Sequence, residues 1–128
     1  MSVNDRELRD RCAPARFGAS LHSRPRRLVV RLTGELDLAS DLELRALLRS
    51  TTEQGAPVTV VDLSEVTFID AHAIGLIAAA YTSATKSGRV LGVVGLHGVV
   101  ADVFHLTGLD ALVLTTAYYD GGAAGGQE

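Results

Sequence analysis

Two β-branched runs, Val58-Thr-Val-Val-Asp62 and Val90-Leu-Gly-Val-Val94, bracket an apolar helical stretch. This arrangement constrains the fold more than anything else in the chain. Short β-branched runs mark strands covered on one or both faces. A helix between two such strands makes them parallel neighbours joined by a crossover. The spacing predicts the helix over 71–87. Asp70 stands at its N-cap, Lys86 complements its C-terminal dipole, and Gly88 supplies a left-handed exit. Residues 63–69 read as a short loop between strand and helix.

The same pattern extends outward. Phe17–His22 and Leu28–Thr33 read as a strand pair joined by the Ser-Arg-Pro-Arg turn at 23–26. Ser40 and Glu43 have capping-box spacing, and Leu44, Leu47 and Leu48 follow on one helical face to about Ser50. Val99–Leu106 reads as a short helix closed by Gly108, and Leu112–Thr115 as a last strand. The expected fold is α/β, a mixed sheet of four to five strands whose hairpin adds an antiparallel edge. At 128 residues and 47% hydrophobic, the chain suits one domain with one core. Residues 1–16 read as a flexible Arg-rich arm, 17–117 as the folded domain, and 118–128 as a disordered Gly-rich tail.

Charge is divided unevenly. Residues 1–31 hold eight arginines against three acidic residues, a net +5, and the remainder nets −8. A basic arm on an acidic body could steer toward nucleic acid or an anionic surface. No aromatic residues interleave with Arg6, Arg9, Arg11 and Arg16, so base stacking has no support and a solubilising arm is the plainer reading. One cysteine, Cys12, excludes an internal disulfide framework and points to a reducing cytoplasm. The apolar stretch from Ala71 to about Ala80 is too short for membrane insertion. No export leader is read at the start.

Signatures of catalysis are missing from the sequence. It has no phosphate-cradling glycine loop, no nucleophile elbow, and no His/Cys metal spacing among His22, His72, His97 and His105. Asp37, Asp62 and Asp70 could meet at the strand ends, which would permit acid–base work, but capping and turn roles account for them equally. The reading is therefore a protein that is not an enzyme and needs no cofactor or metal. Binding has firmer ground, since helix 71–87 is apolar on two adjacent stripes. Ile74, Ile77, Ala78 and Tyr81 form one; Ala73, Leu76, Ala80 and Ala84 form the other. Packing on a sheet needs one stripe. The second either meets a flanking helix or stays exposed as a contact patch. His72, in the first turn, reads as a surface or interface side chain.

Three stretches resemble the STAS domain, the family of bacterial anti-sigma factor antagonists. They are Arg31-Leu-Thr-Gly-Glu-Leu-Asp37, then Val61-Asp-Leu-Ser-Glu-Val-Thr-Phe-Ile-Asp70 leading to Ile74-Gly-Leu76, and Phe104-His-Leu-Thr-Gly-Leu109. They keep the family's order and similar spacing. The resemblance implies helices packed mainly on one face of the sheet. It implies a partner too: an anti-sigma factor that is itself an ATP-dependent serine kinase, whose capture frees a sigma factor for transcription. By position, Asp37, Asp70, Ala71, His72, Ala73 and Leu76 would make the partner surface. The family's phosphoacceptor serine follows the loop aspartate, but here the segment reads Asp70-Ala-His-Ala-Ile-Gly75. Ala71 has no hydroxyl, so the implied switch is missing, and Ser64 and Thr67 are the nearest substitutes. STAS-like domains also serve as scaffolds in stress-signalling assemblies and as accessory subunits of transporter ATPases. Those roles, a small-molecule-sensing role and homodimer formation stay open as alternatives.

Overall fold

The computed structural model describes residues 17–114. The expected arm at 1–16, Cys12, residues 115–117 and the tail at 118–128 lie outside the described residues. Elements run β1 (Gly18–Arg24), β2 (Arg27–Leu36), a 3-10 turn (Leu38–Ser40), α1 (Asp41–Gln54), β3 (Val58–Ile69), α2 (Ala71–Lys86), β4 (Val90–Val94), α3 (Gly98–Leu106) and a second 3-10 turn (Asp110–Leu112). The sheet order is β1-β2-β3-β4, with β1/β2 antiparallel and the other two pairs parallel. This is the mixed sheet with an antiparallel edge that the sequence pattern implies.

Strand alternation sorts the sheet into two unequal faces. Leu28, Val30, Leu32, Val61, Leu63, Leu91 and Val93 share one buried cluster with Leu44 and Leu48 of α1, Ile74 and Ile77 of α2, and Val100 and Phe104 of α3. The other face has a smaller strand cluster, Val29, Val60 and Val94, against which Val58 and Leu114 pack. The three helices thus bury their apolar sides on one face. Gly92 lets the chain after the second 3-10 turn come close: a Cβ there would meet Leu114 Cγ at 2.3 Å and the Leu112 carbonyl oxygen at 2.7 Å.

Strand β3 is longer than its β-branched start suggests. Residues 63–69, expected as a loop, continue it for 12 residues in all, so Ser64 and Thr67 are strand residues. The β2–β3 pairing passes from Arg31↔Asp62 to Thr33↔Glu65, then from Gly34↔Val66 to Glu35↔Phe68. Each step places one extra residue on β3, the signature of a bulge. Burial across 63–69 accordingly recurs every third residue, at Leu63, Val66 and Ile69, instead of every second. Gly34 sits at the second irregularity with φ +85°, a conformation that favours glycine.

Other boundaries differ as well. β2 continues to Leu36 and α1 continues to Gln54. Ser40 does not reach forward to cap with Glu43. Its Oγ accepts from the Asp37 N–H at 3.0 Å and donates to the Asp37 carbonyl at 2.9 Å, closing the 3-10 turn before α1. Of the expected last strand, Leu112–Thr115, the described residues show one parallel bridge, Val93↔Val113, with the Leu114 N–H on the Val93 carbonyl at 2.8 Å. Among the described residues no helix is long and apolar enough to cross a membrane.

Candidate functional site

β2 and β3 end side by side: Leu36 pairs with Ile69, and the Asp70 N–H donates to the Leu36 carbonyl at 3.1 Å. Asp37 and Asp70, the next residue on each strand, therefore leave the same edge of the sheet together. Each begins a helical turn. Asp70 Oδ1 accepts the Ala73 N–H at 2.9 Å, the N-cap bond its position predicts. Ala71 follows as the exposed first residue of α2. The strand ends thus deliver two helix starts to one tip of the molecule, where unpaired N–H groups and positive dipole ends collect.

A polar latch joins those starts. His72 Nε2–H donates to the Oδ1 of Asp41, the first residue of α1, and Arg45 Nη2 donates to the same oxygen at 3.0 Å. The His72 hydrogen bond, with Arg45 beside it, holds the Asp41 carboxyl below its ordinary value of 3.8 despite partial burial. A carboxyl lowered in the folded state stabilises above its unfolded pKa, and the contribution disappears as pH falls through the folded value. His72→Ala should move the Asp41 titration back up toward 3.8, read as the carboxyl carbon shift against pH. The folded chain then loses the His72 share of this contribution, which is present above about pH 4 in the wild type, while Arg45 keeps its own.

Next to the latch along the chain, Leu38 is 67% exposed and Leu42 78%. Phe68, 43% exposed, alternates with the core residue Ile69 and so stands on the other face of the sheet. Gly75, one turn into α2, is exposed, and a Cβ built on it meets nothing within 4 Å. Glycine inside a helix costs roughly 0.5–1 kcal/mol relative to alanine. No contact within the described residues requires that sacrifice, whereas a partner lying close against α2 would.

Of the six residues expected at a partner surface, Asp37 and Asp70 are half-buried at the tip, and Ala71 and His72 are exposed. Leu76 is half-buried further along α2. Ala73 is different: it is fully buried in the core and offers no surface in the free chain. α2 packs beside α1, and Ala80 and Ala84 of the same stripe are also buried. Most of the second stripe is therefore covered in the free chain and does not stay exposed as a contact patch. Asp62 does not join Asp37 and Asp70. It is buried mid-strand, accepting from the Ser64 N–H at 2.9 Å and from Arg31 Nε at 3.3 Å. Of the two readings open for these aspartates, the capping and turn roles hold, and the three carboxylates do not gather. Among the described residues no three His, Cys, Asp or Glu side chains gather as metal ligands do.

Sequence reasoning missed Leu38, Leu42 and Phe68 as surface residues. A signal existed for two of them, since Leu38 and Leu42 are spaced i, i+4 and fall off the Leu44-Leu47-Leu48 stripe. Phe68 was hidden by the loop reading of 63–69.

A family model described as "Mlab, STAS domain" matches residues 19–115. The anti-sigma-B factor antagonist of Bacillus subtilis (strain 168) is 29% identical over 93 residues, which span 73% of this chain and 84% of that protein. A crystal structure of an anti-sigma factor antagonist from Mycobacterium paratuberculosis superposes with a TM-score of 0.72 at 28% identity, covering 79% of this chain and 86% of the other. The unphosphorylated form of the anti-sigma factor antagonist SpoIIAA has the same fold, with a TM-score of 0.68 at 22% identity over 86% of this chain and 97% of its own.

Proposed function

The chain belongs to the STAS domain family and is related to anti-sigma factor antagonists, and we propose that it works as a binding protein of that kind. Its partner is a kinase-type anti-sigma factor in the cytoplasm, and the complex regulates sigma-dependent transcription without catalysis by this chain. Asp37, Asp70, Ala71, His72 and Leu76 supply the docking tip, and Leu38 and Leu42 extend it. The observation that carries the reading is this exposed apolar ground beside two helix starts. Leu38 and Leu42 are large side chains left mostly in water at the edge where β2 and β3 end. Large apolar side chains exposed together at one edge are ground that a docking partner would cover.

Ala71 gives the reading its particular form. It occupies the first position after Asp70, where the STAS resemblance places a phosphoacceptor serine, and a methyl group cannot accept a phosphoryl group. On this reading the chain binds constitutively with respect to that switch.

The test is to mix the purified chain with the kinase-type anti-sigma factors of its own cell and ATP. Complex formation is read by size-exclusion chromatography and phosphate incorporation by intact mass. A stable complex with no phosphate on the first turn of α2 is expected. Failure to bind any of them, together with co-purification with a transporter ATPase, would replace this reading with the accessory-subunit one.

A further inference from the structure

Next to the tip, α1 and α2 leave a furrow between them. Arg45, Leu48, Arg49 and Thr52 line one wall; Leu76, Ala79, Ala80 and Ser83 line the other. These positions recur at helical spacing along each helix, so the furrow follows the two axes. The Asp41–His72 latch stands one turn before Arg45 on α1 and one turn before Leu76 on α2. Its floor is apolar, with Leu48 and Ala80 buried, while Arg49 and Ala79 stand exposed at the rim.

We propose that this furrow is a second docking site, adjoining the tip at Leu76, for an acidic amphipathic helix of a protein partner. Size narrows the occupant first. The opening is about 270 Å³, below the roughly 300–1,000 Å³ of pockets that enclose small ligands. It accommodates one or two apolar side chains, which is how a helix seats itself in a groove. The small residues Ala79, Ala80 and Ser83 leave the α2 wall low enough for a backbone to come near.

Charge narrows it further. Beyond residue 31 the chain has four cationic residues against twelve acidic ones, and two of the four, Arg45 and Arg49, stand on this rim. They are like charges one turn apart, an unfavourable spacing on an isolated helix. Arg45 gives one N–H to Asp41, which leaves further guanidinium donors available. Arg49 has no ion pair with any described residue, and Glu53, one turn further on, does not reach it. Carboxylates on an incoming helix would pair with both guanidiniums while its apolar side chains cover Leu48, Leu76 and Ala80. A basic or neutral helix gains only the second of these.

The probe is a fluorescent peptide of about 15 residues with leucines at i, i+3, i+4 and i+7 and glutamates flanking them. A control peptide carries lysine at every glutamate. By anisotropy the glutamate peptide should bind and the lysine peptide should bind at least about tenfold more weakly. Amide shifts should map to residues 45–52 and 76–83. Arg49→Glu should weaken the glutamate peptide by about tenfold or more, and Ala79→Lys should block it by filling the rim. Both variants change exposed residues, and an unchanged amide spectrum elsewhere establishes that each is folded. Equal binding of the two peptides, no effect of Arg49→Glu, or shifts outside the furrow would overturn the proposal. So would dimerisation in sedimentation that Arg49→Glu abolishes, because a second copy would then be the occupant. The anti-sigma complex is measured separately. Its loss with an intact peptide response strikes the tip reading alone, and the reverse outcome strikes the furrow alone.

Discussion

Replacing Ala71 with aspartate should lower affinity for the anti-sigma partner more than a hundredfold while the free chain becomes no less stable. The two halves of that expectation have different physical origins. In the free chain the new carboxylate sits at the exposed first position of α2, beside the positive end of the helix dipole. There it is favourable by roughly 0.3–1 kcal/mol. In a complex that covers the tip, the same charge is stripped of water with no cation to meet it. A charge left unpaired in a desolvated contact costs about 3–5 kcal/mol, several times the dipole gain and enough for roughly two to three and a half decades of affinity. Ala71→Ser adds only a hydroxyl. It should bind nearly as the wild type does and become a substrate for the partner kinase, after which a phosphate of about −1.5 to −2 charge should release it. Calorimetric titration of the three proteins, with thermal melts of each free chain, separates lost docking from lost folding. Wild-type affinity in the aspartate variant would mean that α2 does not dock through its first turn.

What the sequence made legible, and what it hid, follows from how local each signal is. The strands at 58–62 and 90–94 and the helix between them were readable because their cause is local: β-branched runs, one N-cap, one left-handed exit. Asp70 as the cap belongs to the same class, and the Ala73 N–H bond at 2.9 Å is its realisation. Residues 63–69 were misread because their burial depends on β2. Two bulges shift the register, and a period of three in Leu63, Val66 and Ile69 resembles neither a strand nor a loop. Ser40 shows the same limit on a smaller scale, since its hydroxyl had two eligible partners and took the one behind it. At the site, the edge where Asp37 and Asp70 emerge could be placed from chain order. Which α2 stripe would meet α1 could not, because Ala73, Ala80 and Ala84 suit a helix neighbour and a flat surface equally well. The exposure of Leu38 and Leu42 likewise depends on where the first 3-10 turn aims the chain. Periodicity alone carries no such direction.

Phe104→Ala should have the largest effect on stability. Phe104 has no exposed surface and is the bulkiest of the fully buried side chains, joining α3 to the cluster built on β3, β4 and α2. Truncating a buried phenylalanine costs about 3–5 kcal/mol, since lost transfer energy adds to the cavity left behind. A single domain holds only about 5–15 kcal/mol in total, so this one change removes roughly a fifth of its stability or more. Urea unfolding should show a midpoint well below the wild type with an unchanged slope. His105→Ala is the matched control. Its side chain is 79% exposed and lies 3.7 Å from Asp110, a surface pair whose removal should shift stability by less than about 1 kcal/mol. The contrast assigns the Phe104–Leu109 stretch a role unlike that of the two stretches that end at the tip. In it Phe104 fills the core, and its carbonyl accepts the Leu109 N–H at 3.0 Å as the chain turns back toward the sheet edge. A Phe104→Ala chain that unfolds at the wild-type urea concentration would place α3 outside the cooperative core. The tip would then rest on β2, β3, α1 and α2 alone.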